Sequence, residues 1–79
     1  MTAAAPLRNF QWYWNSSTTA NDDHWTAYAD IENEIIEEAF QTGKSEVEIS
    51  SNYVINFRNL LQYNKFNARK QRTVKRDDL

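Results

Sequence analysis

A single stretch of this chain has the spacing of a helix, and that one helix must cover every strand the rest can form. Ile31, Ile35, Ile36, Ala39 and Phe40 fall on the three- and four-residue steps of one helical face. Asp30 stands just before them, where a carboxylate can accept from the orphan amides of a first turn. Glu32 and Glu34 follow early, where the macrodipole favours acids. Gly43, the only glycine, stands where a left-handed residue stops a helix, and Lys44 follows it. The pattern predicts one long helix over residues 30–41, with Ile35, Ala39 and Phe40 packed against a sheet.

On both sides of that helix the period is two. Phe10, Trp12 and Trp14 alternate with Gln11 and Tyr13, so residues 10–14 read as a ring-rich strand. Residues 15–23 are mostly Ser, Thr, Asn and Asp and read as a hairpin loop, with 25–28 as the returning strand. Beyond the helix, Val47 and Ile49 alternate with Glu46, Glu48 and Ser50. Ser51 and Asn52 make a tight turn, and Tyr53, Ile55 and Phe57 alternate with Val54 and Asn56. Residues 60–63 are a short strand, 64–68 a turn and 69–76 a final strand, on which Lys70, Arg72, Val74 and Arg76 share a face. The order is β-β-α-β-β-β-β, an α+β chain. One amphipathic helix cannot cover both faces of six short antiparallel strands. A six-stranded half-barrel curled around the helix solves this, and it keeps an open concave side where a ligand can enter.

A length of 79 residues suits one domain with a thin core, in which large rings help because each buries much area. Residues 1–9 are expected to be a loose leader, 10–77 the domain and 78–79 a tail. There is no cysteine, so no disulfide and no thiolate zinc site, and His24 is the single histidine, which argues against a metal centre. No run approaches the roughly 18 apolar residues of a membrane span, and the start lacks the pattern of a signal peptide. Nuclear or cytoplasmic residence away from membranes is the expectation. The net charge of −2 hides an asymmetry. Residues 30–48 hold seven acids and one base, whereas 65–76 hold six bases and no acid. A solvated strand pair accounts for such a run, and so does a cationic face that attracts an anion.

No catalytic constellation is present. His24 lies in a polar loop beside acids, and Ser16 and Ser17 share that loop without a nucleophile-elbow sequence. Glu37 and Glu38 diverge by about 100° on a helix, which suits a solvated face or one structural Glu better than an acid/base pair. No Gly-rich phosphate loop exists. Rings beside bases carry more. A curled sheet can converge Trp14, Tyr53, Gln62 and Arg72 from separate strands. The rings can stack on a base or bound sugar. The Gln amide matches the edge of adenine, and the planar Arg fork suits a pyrophosphate. Trp12 and Trp25 read first as core. Gln62 lies in an apolar strand and needs a hydrogen-bond partner, either backbone or ligand.

The runs Trp12-Tyr13-Trp14, Trp25-Thr26-Ala27-Tyr28 and Ile36-Glu37-Glu38-Ala39-Phe40 resemble the Trp, Trp, Glu pattern of the WWE domain family. The second half resembles it too, through Tyr53-Val54-Ile55-Asn56-Phe57, Gln62 and Arg72-Thr73-Val74-Lys75-Arg76. The resemblance runs from about Trp12 to Asp77 and implies a half-barrel of antiparallel strands around one helix. Members occur in ubiquitin ligases and ADP-ribosyltransferases, and several bind iso-ADP-ribose, the internal unit of poly(ADP-ribose), or terminal ADP-ribose. By position, the resemblance places Tyr53, Gln62 and Arg72 on ligand residues. Trp14 falls where one branch has Tyr, and Lys70 where it has a second base. Trp12, Trp25 and Glu37 become structural. The loop over residues 15–24 is longer than is usual in the family, and Trp14 offers a donor but no acceptor.

The function implied is binding without turnover and without a cofactor. Poly(ADP-ribose) or ADP-ribosylated proteins are the partners, and the isolated domain is a monomer. Two other classes fit the same features: a single-stranded RNA binder, and a protein–protein interaction module whose half-barrel is filled and whose Gln62 is satisfied by backbone.

Overall fold

The computed structural model describes residues 10–50 and 52–78. The expected leader and Ser51 of the expected turn lie outside the described residues. Six strands and one helix follow in the order β1 (Phe10–Asn15), β2 (Trp25–Ala27), α1 (Asp30–Gln41), β3 (Glu46–Ile49), β4 (Tyr53–Asn56), β5 (Leu61–Asn64) and β6 (Asn67–Asp78). All pairings are antiparallel. They form one sheet ordered β2-β1-β6-β5-β4-β3, so the edges β2 and β3 are not joined. This is the expected α+β order in an open, half-barrel-like form.

The core is built from alternate residues of that sheet. Trp12, Ile49, Ile55 and Val74 are buried with Tyr28 and with Ile36 of the helix. Trp12 sits edge-on to Phe57, with ring centroids 5.7 Å apart. Trp12 is on β1 and Phe57 follows β4, three positions away in the sheet. Strands three apart lie about 14 Å from each other, and the two rings lean together over the strands between them, with Phe40 of the helix packed on both.

The helix stands where its spacing predicts, but its buried face is rotated from the apolar one. Asn33, Ile36, Glu37 and Ala39 are buried, Ile35 is half-buried, and Ile31 is 73% exposed. Phe40 keeps 40% of its surface, although it packs on Trp12 and Phe57 at 5.3 and 5.8 Å. Polar residues take the inner face because the sheet offers them partners. Asn33 Oδ1 accepts from the Trp12 backbone amide at 2.7 Å, and the Glu37 carboxylate takes the indole of Trp12 at 2.8 Å.

Both helix ends follow from local chemistry. Ala29 is the cap and Asp30 the first helical residue, which corrects the expected capping role. Asp30 and Glu32 still place acids in the first turn, where the macrodipole favours them. At the other end Gly43 has φ 77°. Its amide donates to Phe40 O at 3.2 Å and that of Lys44 to Ala39 O at 3.0 Å, a double C-terminal cap.

The last hairpin differs most from expectation. The strand expected to begin at Leu60 begins at Leu61, because Leu60 turns the chain with φ 53°. The expected turn over 64–68 contracts, and β6 starts at Asn67 and continues to Asp78, which pairs with Phe10. Tyr63 pairs with Gln71 and the next residue, Asn64, with Asn67. Residues 68–70 therefore have no opposite number, a bulge that re-aims this part of β6.

Candidate functional site

A cavity of about 590 Å³ opens on the concave side. Five residues singled out from sequence line it together: Trp14 from β1, Tyr53 from β4, Gln62 from β5, and Lys70 and Arg72 from β6. Convergence follows from alternation, since the same face of each strand carries these side chains. The β6 bulge adds Arg69 and Gln71 to the same lining. Simple alternation would send those two to the other face, so sequence reasoning missed them.

Sequence reasoning also missed Tyr28, Glu32 and Ile49 in the lining. Tyr28 follows β2 and is buried, as is Gln62. The Tyr28 hydroxyl donates to Gln62 Oε1 at 2.5 Å. Burial, and next the charge of Glu32, push that hydroxyl well above the usual tyrosine range. Tyr28 therefore stays a neutral donor that fixes the Gln62 amide. The partner demanded by a Gln in an apolar strand is a side chain 34 residues away, not backbone.

The mouth is cationic on one side. Lys70 and Arg72 are exposed, and Trp14 and Tyr53 are half-buried. Arg72 Nη1 donates to the backbone carbonyl of Ser17, in the long loop after β1. That loop is internally braced. Asn15 Oδ1 accepts the amides of Ser17 and His24 at 3.0 and 3.1 Å, and its Nδ2 donates to Asp23 at 3.0 Å. The polar composition of residues 15–24 thus braces a loop that holds Arg72 through the Ser17 carbonyl.

The three residues expected to be structural lie elsewhere. Trp12 is fully buried and donates to Glu37. Glu37 also receives Arg76 as a fork, at 2.8 Å to each oxygen, and Gln41 at 2.6 Å. The Arg76 fork above all, helped by Gln41 and Trp12 against the cost of burial, lowers its carboxyl to about 2. Trp25 is half-buried on the outer face, with Lys75 Nζ 4.8 Å from its ring and 5.3 Å from that of Tyr13.

Among the described residues no group of three or more His, Asp or Glu is placed to hold a metal, and no helix is long and apolar enough to cross a membrane. The cavity instead offers rings, one buried amide and a basic rim, a combination for holding a flat polar group attached to an anion. No curated protein matches the chain. The family model described as WWE domain matches residues 10–76, nearly the whole chain. WWE domains are interaction modules, of protein–protein or ADP-ribose contacts, and this chain belongs to the WWE domain family.

Proposed function

We propose that this domain binds ADP-ribose groups without turnover, through the iso-ADP-ribose unit of poly(ADP-ribose) or its terminal ADP-ribose. The observation that carries this reading is the meeting of Trp14, Tyr53, Gln62, Lys70 and Arg72 in one cavity. Its volume lies within the range of about 300–1,000 Å³ typical of small-ligand sites. Adenine presents a donor beside an acceptor. Gln62 Nε2 can serve the acceptor, and Oε1 has a second lone pair beyond the one Tyr28 uses. Trp14 and Tyr53 wall the base and sugar, and Lys70 and Arg72 meet the phosphates. A domain of this kind brings an attached ubiquitin ligase or ADP-ribosyltransferase to modified proteins, in the nucleus or cytoplasm.

The open cavity and the side-chain partner of Gln62 favour this reading over a protein–protein module with a filled half-barrel. Titration with iso-ADP-ribose, ADP-ribose and ATP, followed by amide shifts, tests it. Shifts should concentrate at Trp14, Tyr53, Gln62 and residues 69–72. An unmodified single-stranded RNA that competes as well as the ADP-ribose polymer would overturn the reading.

A further inference from the structure

Arg72 is a long side chain on a well-paired strand. Its backbone pairs with Gln62 in the ladder, yet the residue is exposed. Such a side chain samples many rotamers unless its head is held, and ordering it on binding costs affinity. The Ser17 carbonyl holds it, by accepting from Nη1. With that bond in place Arg72 lines the cleft together with Gln62, whereas among the described residues none of the 15–24 loop does. The other N–H groups of the guanidinium, the Nε–Nη2 edge among them, suit two oxygens of a phosphate.

The Ser17 carbonyl is itself fixed from both sides. Before it, the Ser17 amide donates to Asn15 Oδ1 at 3.0 Å. After it, the Thr19 amide donates to Ser17 Oγ at 3.1 Å, and Ser17 Oγ donates to Thr19 O at 2.9 Å. Asn15 does more than close this turn. Its Oδ1 also accepts the His24 amide at 3.1 Å, and its Nδ2 donates to Asp23 at 3.0 Å, so one side chain ties the outgoing limb of the loop to the returning one. Its backbone pairs with Trp25 at the end of the β1–β2 ladder, which anchors the brace to the sheet.

We propose that Asn15 is a positioning residue that acts through the Ser17 carbonyl to preset the Arg72 guanidinium for an anion, an inference that rests on the ADP-ribose reading of the cleft. Asn15 touches no ligand. It sets affinity by removing beforehand the disorder that binding would otherwise have to remove from Arg72.

Calorimetry with ADP-ribose on wild type, Asn15→Ala, Arg72→Ala and the double variant tests this, with thermal melts as the control for folding. Asn15→Ala should weaken binding by about three-fold, within the worth of immobilising one long side chain and short of the loss in Arg72→Ala, since the arginine remains. In the Arg72→Ala background the same substitution should leave affinity unchanged, because the group it positions is gone. It should add its full effect to that of Gln62→Leu, whose partner Tyr28 lies outside the loop. Where Asn15→Ala lowers the melting temperature too far, a variant with residues 17–22 replaced by two glycines removes Ser17 outright and decides by the same coupling to Arg72. Affinity that is unchanged or raised when the brace is removed overturns the proposal. So does an equal loss with and without Arg72, which marks a defect of the fold. Either result leaves the proposed function standing, whereas a wild type that binds no ADP-ribose overturns both.

Discussion

Gln62 and Glu37 are buried polar side chains, and each is held by named partners. Gln62 has the Tyr28 hydroxyl on Oε1, which fixes the orientation of the amide. Replacing it with Leu keeps similar bulk and removes the pairing. Gln62→Leu should lose about 1–3 kcal/mol of ADP-ribose affinity, by analogy with bidentate base readout. Calorimetry beside a thermal melt checks this, and an unchanged affinity at an unchanged melting temperature places Gln62 outside the site. Glu37 gives a pH prediction instead. Its carboxyl is lowered from 4.5 to about 2 in the fold, so its contribution is present above pH 4.5 and is lost as pH falls toward 2. The loss should be on the order of 2–3 kcal/mol. Urea midpoints at pH 7 and pH 3 should therefore fall further apart in wild type than in Glu37→Gln.

The helix and the last strand show what each kind of element revealed in advance. The sequence pattern located all six strands to within two residues at each end, because most have one face inward. Gly43 marked the helix end for a backbone reason that needs no tertiary knowledge. A Cβ there meets nothing within 4 Å, so Gly43→Ala should cost about 1 kcal/mol from the backbone alone, read from chemical denaturation. The inward rotation of α1 was not legible. Asn33 is buried because the Trp12 amide, 21 residues away, needs an acceptor, and no local pattern announces that. For the same reason Phe40 sits at the rim, under Arg76 at 5.2 Å, rather than at the centre. Phe40→Ala should then cost about 2–3 kcal/mol, below the 3–5 of a fully buried ring, and Ile31→Ala under about 0.5. Trp14, Tyr53, Gln62 and Arg72 were legible because chemistry and alternation agree at each, whereas Lys70, in the bulge, was marked by the family resemblance alone. Tyr28, Glu32 and Arg69 were not, because their places depend on a strand–helix junction and a bulge.

Across the whole molecule, charge is divided between two faces of one sheet. Lys70 and Arg72 line the concave cleft, whereas Lys75 rests on Tyr13 and Trp25 outside it. Arg72→Ala should therefore weaken ADP-ribose binding by about ten-fold, the scale of one charge-assisted hydrogen bond, and Lys75→Ala by less than about two-fold. Wild-type affinity should fall with added salt. Equal losses in the two variants would mean a diffuse electrostatic surface and would favour RNA as the ligand. The division is made by β6, which pairs with β1 along one part of its length and with β5 along another. β1 is the first described strand and β6 the last, so the centre of the sheet joins distant parts of the chain. No arrangement of β1 to β5 alone brings the two hairpins into register. The domain must then fold late and all at once as it leaves the ribosome, with the chain-closure entropy of some sixty residues set against a single zipping event. A nascent chain that has emerged only as far as Phe66 has neither a finished core nor a basic wall, so the two arrive in the same step.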